Sequence, residues 1–143
     1  MRGAVPLVER REKQKGITKM KVESSIVFFP CSDIKRTEEF YTKVCGLKVH
    51  QRQGNGTVCI FDTGYGFVGF CQYGDGRPMP TGNLSPCISF NCEDVASVDA
   101  AYGEVMKSGA TVISAPAKHP KYDVYSFFVS DPDGYKVEFQ KIG

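Results

Sequence analysis

The sequence has no apolar run that approaches the roughly 20 residues of a membrane-spanning helix. Its first 19 residues, MRGAVPLVERREKQKGITK, also lack the apolar core of a secretory signal. A glycine-rich nucleotide-binding loop, the motifs of a catalytic triad and zinc-ribbon cysteine spacing are all missing. We therefore expect a cytoplasmic protein that does not bind membranes and that belongs to none of these common enzyme classes.

Cysteine pairs of the C-x-x-C type are absent, although the chain contains six cysteines: Cys31, Cys45, Cys59, Cys71, Cys87 and Cys92. Most of them lie inside apolar, strand-like segments, where a cysteine packs as a small hydrophobic residue. Disulfides require an oxidising compartment, and the chain shows no export signal. The sequence therefore favours reduced thiols over a disulfide framework.

Excess positive charge is confined to the N-terminal segment. Residues 1–19 contain six Lys or Arg and two acidic residues, a net charge of +4, whereas the remaining chain carries −2. Because no aromatic residues interleave with the basic ones, we favour a solvated extension over a nucleic-acid-binding surface. We expect residues 1–19 to form a basic, disordered extension and residues 20–143 to form a single domain.

Two similar segments divide this domain into halves. VFFPCSDIKRTEEFYTKVCGLKV spans residues 27–49, and CISFNCEDVASVDAAYGEVMKSGATV spans residues 87–112. Each begins with an apolar run that ends in Cys-x-Asp, and the carboxylates of Asp33 and Asp94 can each cap a following helix. Apolar residues then recur at helical spacing until Gly46 and Gly109 stop the two helices.

Three strand candidates follow each predicted helix: residues 47–52, 57–62 and 67–73 in the first half, and 110–114, 124–130 and 135–141 in the second. The Gly- and Pro-rich residues 74–85 link the halves. The sequence thus predicts an α+β fold. Two βαβββ modules, residues 22–73 and 86–142, form a cleft of mixed sheets with a helix on the outer face of each.

The last predicted strand carries a single carboxylate. SDPDGYKVEFQ, residues 130–140, combines a tight turn with a strand in which apolar and polar residues alternate. Glu138 lies on the polar side of this alternation. Three roles remain open for it from these residues alone: a solvated strand residue, a metal ligand or a catalytic base.

The paired βαβββ pattern, together with SDIKRTEEFYTKVCGLKV and DPDGYKVEF, resembles the vicinal oxygen chelate superfamily over about residues 22–142. That superfamily includes glyoxalase I, extradiol dioxygenases, methylmalonyl-CoA epimerase and the bleomycin and fosfomycin resistance proteins. The resemblance implies the fold and leaves the function open, because these proteins catalyse several reactions and some only bind a ligand.

The resemblance also implies where a metal ion would be held. In metal-dependent members the ligands come from the first and last strands of each module, and the last-strand Glu follows the turn glycine by four residues, as Glu138 follows Gly134. The first-strand position corresponds to Cys87 in the second module and to Ile26 in the first, and Gly69 occupies the remaining position. Glu138 and Cys87 are thus the candidate ligands for a divalent or soft metal ion.

Strand alternation adds candidate ligand-binding residues. If Glu138 faces the cleft, the side chains expected to line it are Ile26, Phe28, Phe67, Cys71 and Cys87, and Tyr125 is expected near Glu138 as a further ligand-binding residue. This mostly apolar lining favours a flat or apolar ligand with one cationic or donor group for Glu138. The thiols of Cys71 and Cys87 would alternatively suit a soft metal or an arsenical.

Three functional hypotheses follow. The leading one is a cytoplasmic protein that binds a small organic molecule without a tightly bound metal, as the bleomycin-resistance-like members do. The alternative is a metal-dependent lyase resembling lactoylglutathione lyase, an epimerase or a dioxygenase, with an unusual ligand set and a catalytic Glu138. The third is an interaction module with a vestigial cleft. We expect a homodimer, because superfamily members commonly pair modules to complete the cleft.

Overall fold

The computed structural model describes residues 21–143, so the expected basic extension at residues 1–19 lies outside the described residues. The first half contains strand β1 (Ile26–Pro30), helix α1 (Ile34–Glu39) with a π-helical turn (Phe40–Val44), and strands β2 (Lys48–Gln53), β3 (Val58–Asp62) and β4 (Phe67–Cys71). The second half contains β5 (Cys87–Asn91), α2 (Val95–Ser108), β6 (Thr111–Lys118), β7 (Val124–Ser130) and β8 (Lys136–Ile142). Within residues 21–143, no helix is long and apolar enough to cross a membrane.

The strands form two four-stranded mixed sheets of identical topology. The order is β1-β4-β3-β2 in the first sheet and β5-β8-β7-β6 in the second. In each sheet the first strand pairs in parallel with the last, and the other pairs are antiparallel. The predicted α+β fold of two βαβββ modules is therefore confirmed.

Local side-chain chemistry sets the helix boundaries. The Asp33 carboxylate accepts hydrogen bonds from the backbone N–H groups of Lys35 and Arg36 at 3.0 and 3.2 Å, and Asp94 accepts one from Ser97 at 2.8 Å. These bonds satisfy donors that a helix start leaves unpaired. Gly109 ends α2 in the left-handed conformation, with φ of 78°. The predicted caps at Asp33 and Asp94 and the predicted helix end at Gly109 are thus confirmed.

Strand β6 is longer than its sequence pattern indicates. The predicted strand covers residues 110–114, whereas the observed strand continues to Lys118 through two irregularities in its pairing with β7, one between Val112 and Ser114 and one between Ser114 and Ala117. Pro116, which lacks a backbone N–H, falls inside the second irregularity. An edge strand tolerates proline at such a position, because no ladder hydrogen bond is lost there.

A buried carboxylate joins the two modules. Asp131, only 5% exposed, begins the turn at residues 131–134, which we name the docking turn. Its Oδ1 accepts hydrogen bonds from the backbone N–H groups of Asp133 and Tyr135 at 2.8 and 2.9 Å, which close the turn. Its Oδ2 accepts one from the Tyr41 hydroxyl at 2.9 Å, in the π turn after α1. One side chain therefore connects a turn of the second module to a helix of the first.

Polar contacts around the docking turn reinforce this connection. Ser32 donates to the Asp133 carboxylate through both its backbone N–H, at 3.1 Å, and its hydroxyl. Arg36 donates from Nη2 to the Pro132 carbonyl at 2.9 Å. The segment that begins α1 is therefore hydrogen-bonded to the turn at two further points.

Tyr135 extends the same interface into the core. Its side chain is fully buried, and its hydroxyl donates to the Pro30 carbonyl at 2.6 Å. Its ring lies 5.4 Å from the Phe29 ring and 6.2 Å from the Phe70 ring, measured between centroids. Aromatic pairs of this kind each contribute about 0.5–1.5 kcal/mol beyond the burial of their area. The two modules therefore share one hydrophobic core.

We predict that the Asp131 carboxyl makes folding stability depend on pH. Burial raises its pKa above the ordinary value of 3.8, and hydrogen bonds from Tyr135, Tyr41 and Asp133 oppose that shift. A carboxyl with a raised folded-state pKa contributes stability that is present at low pH and is lost as pH rises through that pKa. Between about pH 3 and about pH 7, wild type should therefore lose stability relative to Asp131→Asn in urea denaturation. Parallel profiles for the two proteins would contradict this, and Asp123→Asn, at an exposed ion pair, is the control.

Candidate functional site

Each sheet has one face against its helix and one face opposite to it. In the first sheet, Phe29 and Phe70 belong to the helix side and pack in the core. Successive side chains of a strand alternate between its two faces. The opposite side of the first sheet, which we name the first face, therefore carries Ile26, Phe28, Phe67, Gly69 and Cys71. The corresponding second face carries Cys87, Ser89, Phe128, Lys136 and Glu138.

Glu138 is the centre of a hydrogen-bonded cluster on the second face. Although charged, its side chain is only 9% exposed. The Ser89 hydroxyl, from the neighbouring position of β5, donates to Glu138 Oε1 at 2.7 Å. The Cys87 thiol donates to the same oxygen at 3.7 Å, and Cys87 Sγ lies 3.4 Å from Ser89 Oγ. The cluster thus partly compensates the cost of withdrawing a carboxylate from water.

The cluster also determines the protonation of Cys87. Burial raises the pKa of its thiol, the negative charge of Glu138 raises it further, and the Ser89 hydroxyl opposes the shift. Thiolate is the form of cysteine that attacks electrophiles and binds metals. Cys87 is therefore a neutral hydrogen-bond donor at neutral pH rather than a nucleophile.

A cation shares the second face with Glu138. Lys136 precedes Glu138 by two residues on β8, and its Nζ lies 5.8 Å from the centroid of the Phe128 ring. Phe128 is the residue of β7 that pairs with Glu138. The second face therefore combines an aromatic ring with one charge of each sign.

The first face carries different chemistry at the equivalent positions. Phe28 pairs with Gly69 in the first sheet as Ser89 pairs with Glu138 in the second. The Phe28 ring covers Gly69 so closely that a Cβ built on the glycine would lie 2.5 Å from two ring carbons. Glu138 of the second module thus corresponds to Gly69 of the first, and the Phe28 ring lies over that glycine.

A histidine and a thiol lie at the two ends of this face. The His50 ring lies 4.5 Å from the Phe67 ring. The thiol of Cys71 lies beside the Tyr73 hydroxyl, whose pKa it raises. The first face thus combines these two polar groups with the apolar side chains of Ile26, Phe28 and Phe67.

The donors present do not fit a catalytic metal ion. Such ions are usually held by three or more protein ligands. Among residues 21–143, no group of three or more His, Cys, Asp or Glu side chains is arranged to hold one. On the second face, Glu138 and Cys87 provide only two donors. On the first face, the equivalent positions carry Ile26 and Gly69, and neither has a donor side chain.

Five of the sequence-predicted site residues lie on the two faces, and Tyr125 lies elsewhere. Cys87 and Glu138 lie together on the second face, whereas Phe28, Phe67 and Cys71 lie on the first face. No hydrogen bond between described residues connects these two faces.

Tyr125 was expected beside Glu138, and this placement is wrong. Its position on β7 has the parity of the buried Phe127, so it lies on the helix side of the sheet. There its hydroxyl donates to Asp99 of α2 at 2.6 Å. Ser89, which contacts Glu138 directly, was missed. The parallel pairing of the first and last strands of a module, with Cys87 as reference, would have identified it.

Comparison with known proteins agrees with this architecture. The model of the glyoxalase/bleomycin resistance protein/dioxygenase superfamily matches residues 25–139, and the chain belongs to that superfamily. No curated protein sequence matches the chain significantly.

Solved structures extend the comparison. A superfamily enzyme from Burkholderia phytofirmans PsJN is similar, with a TM-score of 0.69 and 21% identity over 83% of this chain and 98% of that one. TioX from Micromonospora sp. ML1 gives 0.66 and 21% over 82% and 97%. A lactoylglutathione lyase from Agrobacterium tumefaciens gives 0.66 and 19% over 87% and 96%. At these identities the similarity shows the fold alone.

We predict that Gly69→Ala destabilises the protein through the Phe28 ring. The added methyl group would force the ring off the sheet, and overpacking of this kind costs about 1–3 kcal/mol. In a double-mutant cycle measured by urea denaturation, Phe28→Ala should remove most of this cost. Gly103→Ala is the control, because nothing lies within 4 Å of its Cβ position and alanine favours the helix. Additive effects of Gly69→Ala and Phe28→Ala would show that the ring and the glycine do not interact.

Proposed function

We propose that this protein binds a small organic molecule through its first and second faces, with Glu138 as the acceptor for a donor group of the ligand. The observation that carries the proposal is the environment of the Glu138 carboxylate. It is almost buried, and the hydrogen bonds from Ser89 and Cys87 both reach Oε1. An ionised carboxylate can accept about four hydrogen bonds, so Oε2 remains suited to a ligand N–H group.

The first face supplies the apolar part of the proposed site. Phe28 is 46% exposed and Ile26 38% exposed, although both are large hydrophobic residues. Phe67 lies beside them on β4. A planar, apolar ligand body would cover these side chains, and its contact with the Phe28 ring would be favourable. We therefore propose a ligand with a flat apolar body and one cationic or N–H donor group.

Glu138 acts in this proposal as an anchor rather than as a metal ligand. The donor set described above does not fit a catalytic divalent ion, so we derive no metal-dependent step. A metal-dependent lyase, epimerase or dioxygenase, with Glu138 as the catalytic group, is the competing function. It requires a metal bound in near-stoichiometric amount.

The proposal includes a homodimer in a reducing compartment, the cytoplasm. Both faces present apolar side chains, and pairing of two copies would enclose a ligand between them. The reduced thiols expected from the sequence suit such a compartment. Light scattering at tens of micromolar protein should give twice the mass of the 15.8 kDa chain. A monomer at that concentration would remove the dimer from the proposal.

We predict that proflavine, a planar aromatic cation, raises the melting temperature of the wild-type protein more than the neutral acridone does. Loss of a charge-assisted hydrogen bond in Glu138→Gln should weaken proflavine binding about tenfold. Lys136→Gln is the matched control, because it removes the opposite charge from the same strand and should leave binding unchanged or stronger. Equal affinity of wild type and Glu138→Gln would contradict the proposed anchor. No binding of any planar compound would favour an interaction module.

Metal analysis of protein purified without a metal-affinity tag tests the competing function. We expect far less than one metal ion per chain, because two donors hold a divalent ion weakly. About one ion per chain, lost in Glu138→Gln, would favour the metal-dependent enzyme.

A further inference from the structure

A groove of about 420 Å³ lies on the outside of the molecule, where the two modules meet. We name it the seam groove. Its apolar lining is provided by Phe40 and Val44 from the π turn, Ala110 after α2 and Pro132 of the docking turn. No residue of the first or second face lines it. Small-molecule sites commonly have volumes of about 300–1,000 Å³ and occur preferentially where structural units meet.

Positive charge predominates among the side chains around this groove. Arg36, Glu39 and Lys43 follow one side of it. Arg36 uses Nη2 to reach the Pro132 carbonyl at 2.9 Å, which fixes its guanidinium and leaves further N–H donors available. Lys43 Nζ lies 3.5 Å from the Glu39 carboxylate, and both side chains are about 70% exposed, so their pairing is weak. Two cations thus face one anion at the edge of an apolar surface.

The opposite wall of the groove offers a ligand few unpaired polar groups. It is formed by the end of α2, where the Ser108 hydroxyl donates to the Val105 carbonyl at 2.5 Å and the Gly109 N–H reaches the Met106 carbonyl at 3.4 Å. The Ala110 N–H in turn donates to Ser108 Oγ at 3.2 Å. Because these polar groups are already paired, the charged side chains on the α1 side of the groove determine which ligand is preferred.

We propose that the seam groove binds a small organic acid. Its apolar body lies on the apolar lining, and its carboxylate accepts hydrogen bonds from Arg36 and Lys43. A guanidinium held in place by a backbone carbonyl suits a planar carboxylate particularly well. Since the ligand contacts α1, the end of α2 and the docking turn, its binding stabilises the contact between the modules. This site is distinct from the one formed by Glu138 and does not depend on it.

Indoleacetate is an anion and tryptamine a cation, and both carry an indole ring system. Comparing them tests whether the seam groove prefers a carboxylate. We expect indoleacetate to shift the backbone amide resonances of Ser108, Gly109 and Ala110 in a saturable manner, and to raise the melting temperature by mass action. Tryptamine should do neither. Equal shifts with both compounds, shifts confined to Cys87 and Glu138, or no shifts at all would each overturn the proposal.

Charge variants on the two helices locate the carboxylate. Lys43→Gln should weaken indoleacetate binding about threefold to tenfold, and Glu39→Gln should strengthen it about threefold, because it removes the anion beside the site. Lys107→Gln is the matched control, since Lys107 is similarly exposed, pairs with Glu104 at 3.3 Å on α2, and does not line the groove. Binding should be unchanged in Lys107→Gln and in Glu138→Gln. Equal effects of Lys43→Gln and Lys107→Gln would overturn the assignment.

Discussion

A carboxylate that is withdrawn from water needs hydrogen-bond donors, and Asp131 obtains them from both modules. Two come from its own turn and one from the Tyr41 hydroxyl of the first module. The arrangement fixes the docking turn against α1 and places Tyr135 in the shared core. It also determines where β8 begins, and therefore where Glu138 lies along that strand. The position of Glu138 and the shape of the seam groove, which Pro132 of the docking turn lines, therefore both depend on this buried contact.

The two modules show how one fold accommodates different chemistry at equivalent positions. Both sheets have the same strand order, and their first and last strands pair in an equivalent register. In the second module this register places a hydroxyl beside a carboxylate, at Ser89 and Glu138. In the first module it places an aromatic ring over a glycine, at Phe28 and Gly69. The backbone thus supplies two matching positions, and the side chains make one of them polar and the other apolar.

Much of this fold follows from local signals in the sequence. Asp33, Asp94 and Gly109 act through hydrogen bonds and φ angles within a few residues, so their roles could be predicted. The positions of Tyr125 and Ser89 relative to Glu138 depend instead on which strands become neighbours and in which register. A sequence pattern does not determine that pairing. The length of β6 depends on irregular pairing with β7. The seam groove exists only because two helices and a turn meet in three dimensions, so no segment of sequence indicates it.

The contact between Phe28 and Gly69 also restricts the routes by which this protein can change. A carboxylate at position 69 would give the first face an acidic group equivalent to Glu138, but a Cβ there would lie 2.5 Å from the Phe28 ring in its present position. An acidic side chain there therefore requires the Phe28 ring to move or to be replaced, and either change uncovers part of the sheet. The two modules are therefore not interchangeable at this position, although their backbones are equivalent there.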